Sequence, residues 1–427
     1  MLSEGGVTAV DFLLFNCSEI VSPIGEGMPL RRSDLGRLRR VENAALVARS
    51  GAIVHWGPEH EVLHCIEKLP GCVEVDAQQR SVIPAFVDPH THAVFGCARA
   101  AEYAARIAGT SYQEIAAAGG GIHSSVRDVR ARSEDELLAL LVERLRRMLA
   151  HGTTTVEIKS GYGLTLEDEL KLLRVIRRAG EQVPVRVVPT FLGAHEVPEE
   201  FRARRVEYVR LLVHEMLPQA ARLAEFNDVF CEPSVFTLEE SATILEAGAR
   251  LGLAPKLHAD ELEPYGGTEL ACRLGAVSAD HLLRVSPPGI QALGSSATVA
   301  VLLPGTSFGL ALGAYAPARA LVEAGAVVAL ATDFNPGSSH CPSMQAIWSL
   351  ACSLLRLTPA EALVACTLNA AVAIRRGGQL GSLEPGRRCD LVVTHGKDYR
   401  EVPYQFGVNN AALVVSEGRV VWSDGSV

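Results

Sequence analysis

The sequence lacks the features of several large protein classes. No apolar run approaches the ~18–20 residues that span a bilayer. The first segment, Met1–Val10, lacks the basic and apolar regions of a secretory signal. The 10 cysteines are scattered without a C-x-x-C pair, a pattern typical of reduced thiols packed as small apolar side chains. We therefore expect a cytoplasmic protein that does not contact a membrane.

An excess of positive charge is also missing. Lys and Arg number 40 against 49 Asp and Glu, a net charge of −9, and no basic stripe interrupts this balance. A surface this acidic repels phosphate backbones, so we expect no nucleic-acid partner. The run Gly119–Gly121 lacks the Lys-Ser/Thr pair that follows in a phosphate-binding loop. It predicts instead a flexible loop beside a pocket.

The two ends of the chain share a pattern of short runs in which apolar and polar residues alternate, separated by turn signals. These runs are Val10–Val21, Ala45–Trp56, Cys72–Val82, Asp390–Thr394 and Ala411–Trp422. We expect the ends, residues 1–81 and 381–427, to fold together into a small β-sandwich. Residues 82–380 form a larger domain inserted between them, which suits a chain of 427 residues.

The middle of the chain alternates apolar β-type runs with helical patterns, which is the signature of βα units around a parallel sheet. The predicted strands are Val82–Asp88, Thr153–Ile158, Val183–Leu192, Asp228–Glu232, Ala254–Ala259, Ala276–His281, Ala297–Leu303 and Ala326–Thr332. Eight strands close a (β/α)₈ barrel, although an open doubly wound sheet alternates in the same way. Ser133–Glu136 and Thr237–Glu240 predict capping boxes at helix starts.

Polar residues end several of these strands. His90 and His92 lie two apart at the end of the first strand, so both can reach one ion. His258, His281 and Asp333 end the fifth, sixth and eighth strands, and the carboxyl ends of barrel strands meet at one mouth. Each residue alone could simply cap a strand or start a helix. Four imidazoles and a carboxylate at these strand ends are hard to explain by chance, and three histidines with one aspartate would make an N₃O shell for zinc or iron.

Longer motifs narrow the assignment. They are Asp88–His92, Gly119–Ile122, Glu157–Gly163, Phe191–His195, His258–Glu261, Ser278–His281 and Ala331–Ser339. With these motifs the sequence resembles the amidohydrolase superfamily and, within it, the imidazolonepropionases. The His-x-His pair identifies only the superfamily. The Lys-Ser-Gly-Tyr-Gly, Leu-Gly-Ala-His and Asp-Phe-Asn-Pro-Gly-Ser runs point to the narrower family.

The resemblance implies one divalent or trivalent metal ion per chain, zinc or iron. The ligands that it implies are His90, His92, His258 and Asp333. His281 then lies beside the bound water. Members with two ions carry a lysine at the end of strand four, and Thr190–His195 contains none. We interpret Lys159, which follows strand two, as structural or as a supporting charge near the mouth.

The resemblance also implies a homodimer and a small-molecule substrate with a carboxylate tail. The substrate-binding residues that it implies are Arg99, Tyr162, His195, Glu261, Asn335, Gly337 and Ser338. Arg99 can hold a carboxylate by two parallel hydrogen bonds, and Tyr162 and His195 can donate to ring or carboxylate oxygens. Cys97-Ala98 and His340-Cys341 depart from the family pattern at the pocket rim, which puts substrate affinity in question.

The implied reaction is hydrolysis of the amide C–N bond in 4-imidazolone-5-propanoate, which gives N-formimidoyl-L-glutamate in histidine degradation. The implied catalytic residues are Glu261, His281, Asp333 and His195. The ion and a nearby donor, His195 or His281, are expected to stabilise the oxyanion. The sequence leaves open which of Asp333, Glu261 and His281 carries each proton. A nucleobase deaminase and a non-catalytic scaffold are the alternatives. Arg99 argues against a deaminase because a nucleobase has no carboxylate, and the complete ligand set argues against a scaffold.

Overall fold

The computed structural model describes residues 8–110, 114–115 and 118–427. The chain folds as two compact units. One contains the chain up to Asp88 together with Arg147–Thr155 and Ser343–Val427; the other contains Pro89–Arg146 and Val156–Pro342. Every predicted site residue lies in the second unit. The predicted domain boundaries at residues 82 and 380 stay a prediction.

The strands of the described residues fall into two sheets. In chain order they are β1 (Thr8–Pro23), β2 (Leu38–Arg49), β3 (Ala52–Pro58), β4 (Ile66–Asp76), β5 (Ser81–Pro84), β6 (Phe86–Asp88), β7 (Thr153–Lys159), β8 (Arg186–Ala194), β9 (Phe226–Cys231), β10 (Ala254–Ala259), β11 (Ser278–His281), β12 (Val299–Leu302), β13 (Val327–Leu330), β14 (Leu391–Thr394), β15 (Ala411–Ser416) and β16 (Arg419–Ser423).

The first sheet joins the two ends of the chain, as the alternating patterns predict. Its order is β16-β15-β14-β5-β1-β2-β3, and β4 pairs with β1 in parallel. One core cluster combines Phe12, Leu46 and Trp56 from the first end with Leu391 and Val415 from the other. Burial of these side chains from water is the main favourable contribution that holds the two ends in one fold.

The second sheet is the predicted barrel. Its order, β6-β7-β8-β9-β10-β11-β12-β13, follows the chain. Backbone hydrogen bonds between the segments that follow β6 and β13 join its first and last strands: His92 donates to Phe334 (2.9 Å) and Asp333 donates to His90 (3.1 Å). The eight parallel strands therefore form a nearly closed (β/α)₈ barrel, whose strand ends at this mouth carry the polar residues.

The first predicted barrel strand is two strands in the structure. Residues Ser81–Pro84 belong to the sheet of the chain ends, where β5 pairs with β1 and β14. Only Phe86–Asp88 belongs to the barrel. Pro84 has no backbone N–H to continue a ladder, so the apolar run Val82–Asp88 passes from one sheet to the other at this point. Apolar character alone gives no sign of the change.

The helices lie between these strands along the chain. Their bounds are Glu59–His64, Ala100–Ile107, Ile122–Ala131, Glu134–Ala150, Leu166–Gln182, Arg205–Leu211, Leu217–Ala220, Leu238–Arg250, Gly267–Arg273, Pro287–Gly294, Pro304–Gly309, Ala318–Ala324, Met344–Leu354, Pro359–Cys366, Leu368–Val372 and Glu401–Tyr404. Shorter 3₁₀ turns at Arg32–Gly36 and Glu199–Phe201 and a π turn at Leu212–Met216 complete them.

Two predicted capping boxes are present. Glu136 donates its backbone N–H to the Ser133 hydroxyl (3.3 Å), while Ser133 donates its own to the Glu136 carboxylate (2.9 Å). Thr237 and Glu240 make the same reciprocal pair at the start of Leu238–Arg250. Within the described part of the chain, no helix has the length and apolar character that a membrane crossing needs.

Candidate active site

The predicted metal-binding residues converge at the mouth of the barrel. His90 and His92 follow β6, His258 lies in β10 and Asp333 follows β13. All four are almost fully buried. Two groups of donor atoms each lie within 4.8 Å of one another: His90, His92 and Asp333, and His90, His258 and His281. We call His90, His92, His258 and Asp333 the metal side of the site.

The donor atoms of the metal side face one another. His92 Nε2 lies 3.3 Å from His258 Nε2, and Asp333 Oδ1 lies 3.5 Å from His90 Nε2 and 3.6 Å from His92 Nε2. The Thr306 hydroxyl donates to the other carboxylate oxygen, Asp333 Oδ2, which leaves Oδ1 for the centre. His90 Nε2 is buried and has no hydrogen-bond partner among the described residues. This N₃O donor set fits a zinc or iron ion.

A carboxylate stands behind two of these imidazoles. His90 Nδ1 lies 2.6 Å from Asp280 Oδ2, and His258 Nδ1 lies 3.1 Å from Asp228 Oδ2. A proton on Nδ1 that is donated to a carboxylate leaves the Nε2 lone pair free to bind an ion. Both rings therefore present the nitrogen that a metal would need. Neither Asp228 nor Asp280 is among the site residues predicted from the sequence.

The Lys159 ammonium lies among three buried carboxylates. Its Nζ is 2.8 Å from Glu157 Oε1, 2.8 Å from Asp228 Oδ2 and 3.8 Å from Asp280 Oδ2, and the side chain is fully buried. Burial disfavours the charge, but Asp228, Glu157 and Asp280 outweigh it and raise the pKa of Lys159 above its ordinary value. The lysine is therefore a permanent cation inside the barrel.

Burial also controls the protonation of the imidazoles and of the two acids that face them. It lowers the pKa of His90, His92 and His281 well below the ordinary value, so these rings are neutral at physiological pH. Burial raises the pKa of Asp333 to about 6. Burial, with a smaller contribution from Asp333, raises the pKa of Glu261 well above its ordinary value. These shifts favour neutral imidazoles and the protonated form of the Glu261 carboxyl group.

His281 and Glu261 form a pair beside the metal side. His281 ends β11 and Glu261 follows β10, and His281 Nδ1 lies 3.5 Å from Glu261 Oε1. The backbone N–H of Glu261 donates to Glu232 Oε1 (2.7 Å), which fixes the start of its loop. Glu232 directly follows β9. As the last residue of the predicted strand Asp228–Glu232, it carried a positional signal that the sequence analysis did not use.

Asp333, on the metal side, and its neighbour His281 both have a positive backbone φ angle. Asp333 has a φ of 50° and His281 a φ of 77°, in the left-handed region that costs free energy for any residue but glycine. Such conformations cluster at functional sites because the surrounding structure holds them in place. At these strand ends they direct polar side chains into the mouth.

Tyr162 and His195 line the mouth next to the metal side. The His195 ring stacks on His92 with centroids 4.8 Å apart, and the Tyr162 ring lies 5.4 Å from His195. His195 Nδ1 lies 2.9 Å from the Gly161 carbonyl oxygen, so Nδ1 carries the proton and donates it. Burial lowers the pKa of His195 to about 3. Its Nε2 is therefore an acceptor, which differs from the donor role that the sequence analysis considered.

Arg99 sits at the start of the helix Ala100–Ile107. Its backbone N–H donates to the Pro336 carbonyl (2.9 Å), and its side chain, 17% exposed, lies 3.8 Å from Glu102 through Nε. A Cβ atom added at Gly337 would lie 1.6 Å from Arg99 Nη2. The guanidinium therefore occupies the space that any other residue at position 337 would fill.

The loop from Asn335 to Ser338 is held by its own side chains. Asn335 Oδ1 accepts from the N–H groups of Gly337 and Ser338, both at 2.8 Å. Asn335 Nδ2 donates to the Asp333 carbonyl (2.7 Å) and to the Ser338 hydroxyl (2.8 Å). The amide of Asn335 is thus engaged within the loop. We call Arg99, Tyr162, His195 and residues 335–338 the substrate side of the site.

Comparison with known proteins identifies the family. The sequence model of the Amidohydrolase family matches residues 81–421. The chain belongs to the amidohydrolase family. The chain is 49% identical over 421 residues, 98% of this chain and 99% of the relative, to an imidazolonepropionase of Symbiobacterium thermophilum. It is 48% identical over 402 residues, 93% of this chain and 95% of the relative, to an imidazolonepropionase of Geobacillus kaustophilus. The predicted resemblance is confirmed.

Solved structures of other proteins share this fold. An adenosine deaminase from Xanthomonas campestris with bound zinc superposes with a TM-score of 0.71 at 18% identity, covering 97% of this chain and 93% of its own. A triazine hydrolase variant superposes with a TM-score of 0.71 at 16% identity, covering 96% and 94%. At this identity the likeness concerns the fold alone, which supports the predicted barrel with a separate sheet.

Proposed function

We propose that this amidohydrolase hydrolyses 4-imidazolone-5-propanoate to N-formimidoyl-L-glutamate. The observation that carries the proposal is the combination of an N₃O donor set with a cation, Arg99, in one unit. The Arg99 guanidinium fills the space beside Gly337, which follows the metal-side residue Asp333 by four positions, so the cation lies against the loop that leaves the metal side. Relatives 44–49% identical over most of the chain carry the name imidazolonepropionase.

The metal side supplies the ligands for one ion. His90, His92 and His258 offer neutral imidazole nitrogens and Asp333 offers Oδ1. When bound, such an ion supplies a nucleophilic water at neutral pH and polarises the carbonyl to be attacked. The stretch between Thr190 and His195 has no lysine that could bridge a second ion, which supports one ion per chain. Imidazole and carboxylate ligands suit both zinc and iron.

Side chains of this protein then carry out the proton transfers of the reaction. Hydrolysis adds water across the ring C–N bond, so the carbonyl carbon gains an oxygen and the leaving nitrogen gains a proton. Glu261 and His281 face each other at 3.5 Å and can pass one proton between Oε1 and Nδ1. Burial raises the pKa of Glu261, which favours the protonated form that can donate to the leaving nitrogen. The Asp333 carboxylate is the second candidate acceptor for the water proton.

The substrate side orients the ring and its tail. His195 Nε2 is an acceptor for a ring N–H, because the Gly161 carbonyl holds the proton on Nδ1. Arg99 offers two parallel N–H donors to the carboxylate, and a guanidinium matches the planar pair of oxygens as a fork. Tyr162 is a second donor for the tail. The Asn335 amide and the N–H groups of Gly337 and Ser338 are engaged within the loop. The Ser338 hydroxyl accepts from Asn335 Nδ2 and keeps its own hydrogen, so we assign the loop's contact with substrate to this hydroxyl.

Several finer features belong to the same proposal. The metal-binding, substrate-binding and catalytic residues predicted from the sequence are kept in this proposal, with two changes of role: Asn335 holds its loop, and His195 accepts through Nε2. We also propose a cytoplasmic homodimer whose partner is a small molecule and not nucleic acid or membrane. The net charge of −9 supports the exclusion of nucleic acid. The homodimer rests on the family resemblance.

Supplying fresh 4-imidazolone-5-propanoate to the purified protein tests the proposal. Loss of ring absorbance and free ammonia are followed in the same sample. We expect ring loss at a rate that depends on added zinc or iron, with no ammonia released. Ammonia formed in step with turnover would identify a deaminase and contradict the proposed function. Ring loss no faster than the spontaneous reaction would contradict it as well.

A further inference from the structure

One buried cation links the two carboxylates that stand behind the metal side. Asp228 orients His258 and Asp280 orients His90, at 3.1 and 2.6 Å. The same oxygen of each carboxylate, Oδ2, also faces Lys159 Nζ, at 2.8 and 3.8 Å. The Lys159 ammonium is therefore connected to two of the four metal-side ligands, in each case through one intervening carboxylate.

The rest of the cluster holds this ammonium in position. Glu157, two residues earlier on β7, lies 2.8 Å from Nζ through Oε1, and the same oxygen accepts from the Thr190 hydroxyl. All three carboxylates and the lysine are fully buried. Buried like charges repel strongly at low dielectric, and a buried cation among them is stable only when paired. Without Lys159, Asp228 and Asp280 would move apart or turn away.

We propose that Lys159 is a positioning residue that holds Asp228 and Asp280 against their mutual repulsion, so that His90 and His258 keep Nε2 turned towards the metal. This inference rests on the metal side of the proposed function. A carboxylate that supports a metal-bound imidazole fixes both its tautomer and its ring orientation. Lys159 provides that support for two ligands on different strands at once, which couples the two sides of the shell.

The test uses a variant that keeps the formal charge of the cluster. Lys159→Met with Glu157→Gln removes one positive and one negative charge together. Glu157→Gln alone removes a carboxylate that has no hydrogen bond to a metal-side side chain among the described residues. Its other oxygen, Oε2, accepts from the backbone N–H of Thr91 at 3.4 Å, and glutamine can keep an acceptor there. Zinc affinity is measured by competition with a chromophoric chelator, and thermal unfolding is followed on the metal-free proteins. We expect the double variant to fold and to bind zinc ~10–100-fold more weakly than the native chain. Glu157→Gln alone should bind zinc nearly as the native chain does.

A double-mutant cycle separates positioning from a general effect on the barrel. Asp280→Asn should weaken zinc binding in the native chain but much less in the double variant, because the support it removes is already lost. Native zinc affinity in the double variant would overturn the proposal. A double variant that no longer folds would assign Lys159 to barrel stability and overturn it too. Failure of the native chain to bind zinc or iron would instead contradict the proposed function.

Discussion

The metal side and the substrate side of the site are built in different ways. The metal-side histidines lie in barrel strands or directly after them, are almost fully buried, and two of them are fixed by carboxylates. Arg99, on the substrate side, begins a helix after a loop and is held by a backbone hydrogen bond to Pro336 and by the space at Gly337. On the metal side, charged carboxylates orient the imidazole nitrogens. On the substrate side, steric fit against the loop positions the guanidinium.

This difference determines which amino-acid substitutions each side tolerates. A metal ligand cannot be replaced without breaking the shell, since each donor atom is needed and the groups behind it are buried. A residue that binds the substrate tail can change without loss of the ion, because its support lies in the loops. Loop-borne positions are where related enzymes on one scaffold change their substrates. The two sides should therefore fail independently.

The largest expected effect comes from breaking the metal side. His258→Ala should lose both the bound metal and nearly all activity, because the remaining ligands no longer close the shell. His281→Ala should keep close to one metal per chain, by elemental analysis, while losing much of kcat. His281 is thereby separated from the ligands by a matched histidine substitution. Equal metal loss in both variants would show that His281 is itself a ligand.

On the substrate side, Arg99→Met should lower kcat/KM by at least ~100-fold, about 2.7 kcal/mol of transition-state stabilisation. The physical reason is the loss of two charge-assisted hydrogen bonds to the carboxylate. Metal content should remain native, and Arg99→Lys should recover only part of the rate because it lacks the fork geometry. Metal loss in Arg99→Met would mean that the two sides are not independent.

Gly337→Ala should have a smaller effect that acts through Arg99. The added Cβ would lie 1.6 Å from Arg99 Nη2, and the end of a flexible side chain can move, so the fold should survive. We expect kcat/KM to fall by about 10-fold, or roughly 1.4 kcal/mol. In an Arg99→Ala background the same change should cost little. An equal loss in that background would contradict this role for Gly337.

Gly378→Ala is the matched control for this substitution. A Cβ at Gly378 meets nothing within 4 Å among the described residues, so kcat/KM should stay native.

The smallest expected effect on activity comes from a change in the barrel scaffold. Thr237→Ala removes a capping box from the helix Leu238–Arg250 and should lower the free energy of unfolding by about 1 kcal/mol. Chemical denaturation measures that loss, while kcat/KM and metal content should not change. A kinetic effect as large as that of Gly337→Ala would show that the barrel helices influence the substrate side.

The metal side could be predicted from the sequence because its signals are local. His90 and His92 follow an apolar strand at a spacing of two, and His258, His281 and Asp333 each end a strand of a repeating βα pattern. The barrel then brings strand ends together without further information. The eight strands are present in the structure, although their ends differ by a few residues and the first is divided at Ala85.

The supports of the site could not be predicted in the same way. Asp228, Asp280 and Lys159 meet only in three dimensions, and a polar residue within a strand gives no sign of its partner. The contact between Arg99 and Gly337 could not be predicted either, because Asn335-Pro-Gly is an ordinary turn sequence. Only the structure shows that Arg99 fills the space at Gly337. The tautomer of His195 depends on the Gly161 carbonyl, which accepts from Nδ1, and the sequence does not show this contact.

The measurement that tests the account most directly is substrate preference in the native chain and in Arg99→Met. The ratio of kcat/KM for 4-imidazolone-5-propanoate to that for an analogue without the carboxylate is determined for both proteins at equal metal content. We predict a large ratio for the native chain that falls close to one in the variant, because only the carboxylate substrate loses its partner. A ratio that is unchanged by the substitution would contradict the assignment of Arg99 to the carboxylate and, with it, the division between the two sides.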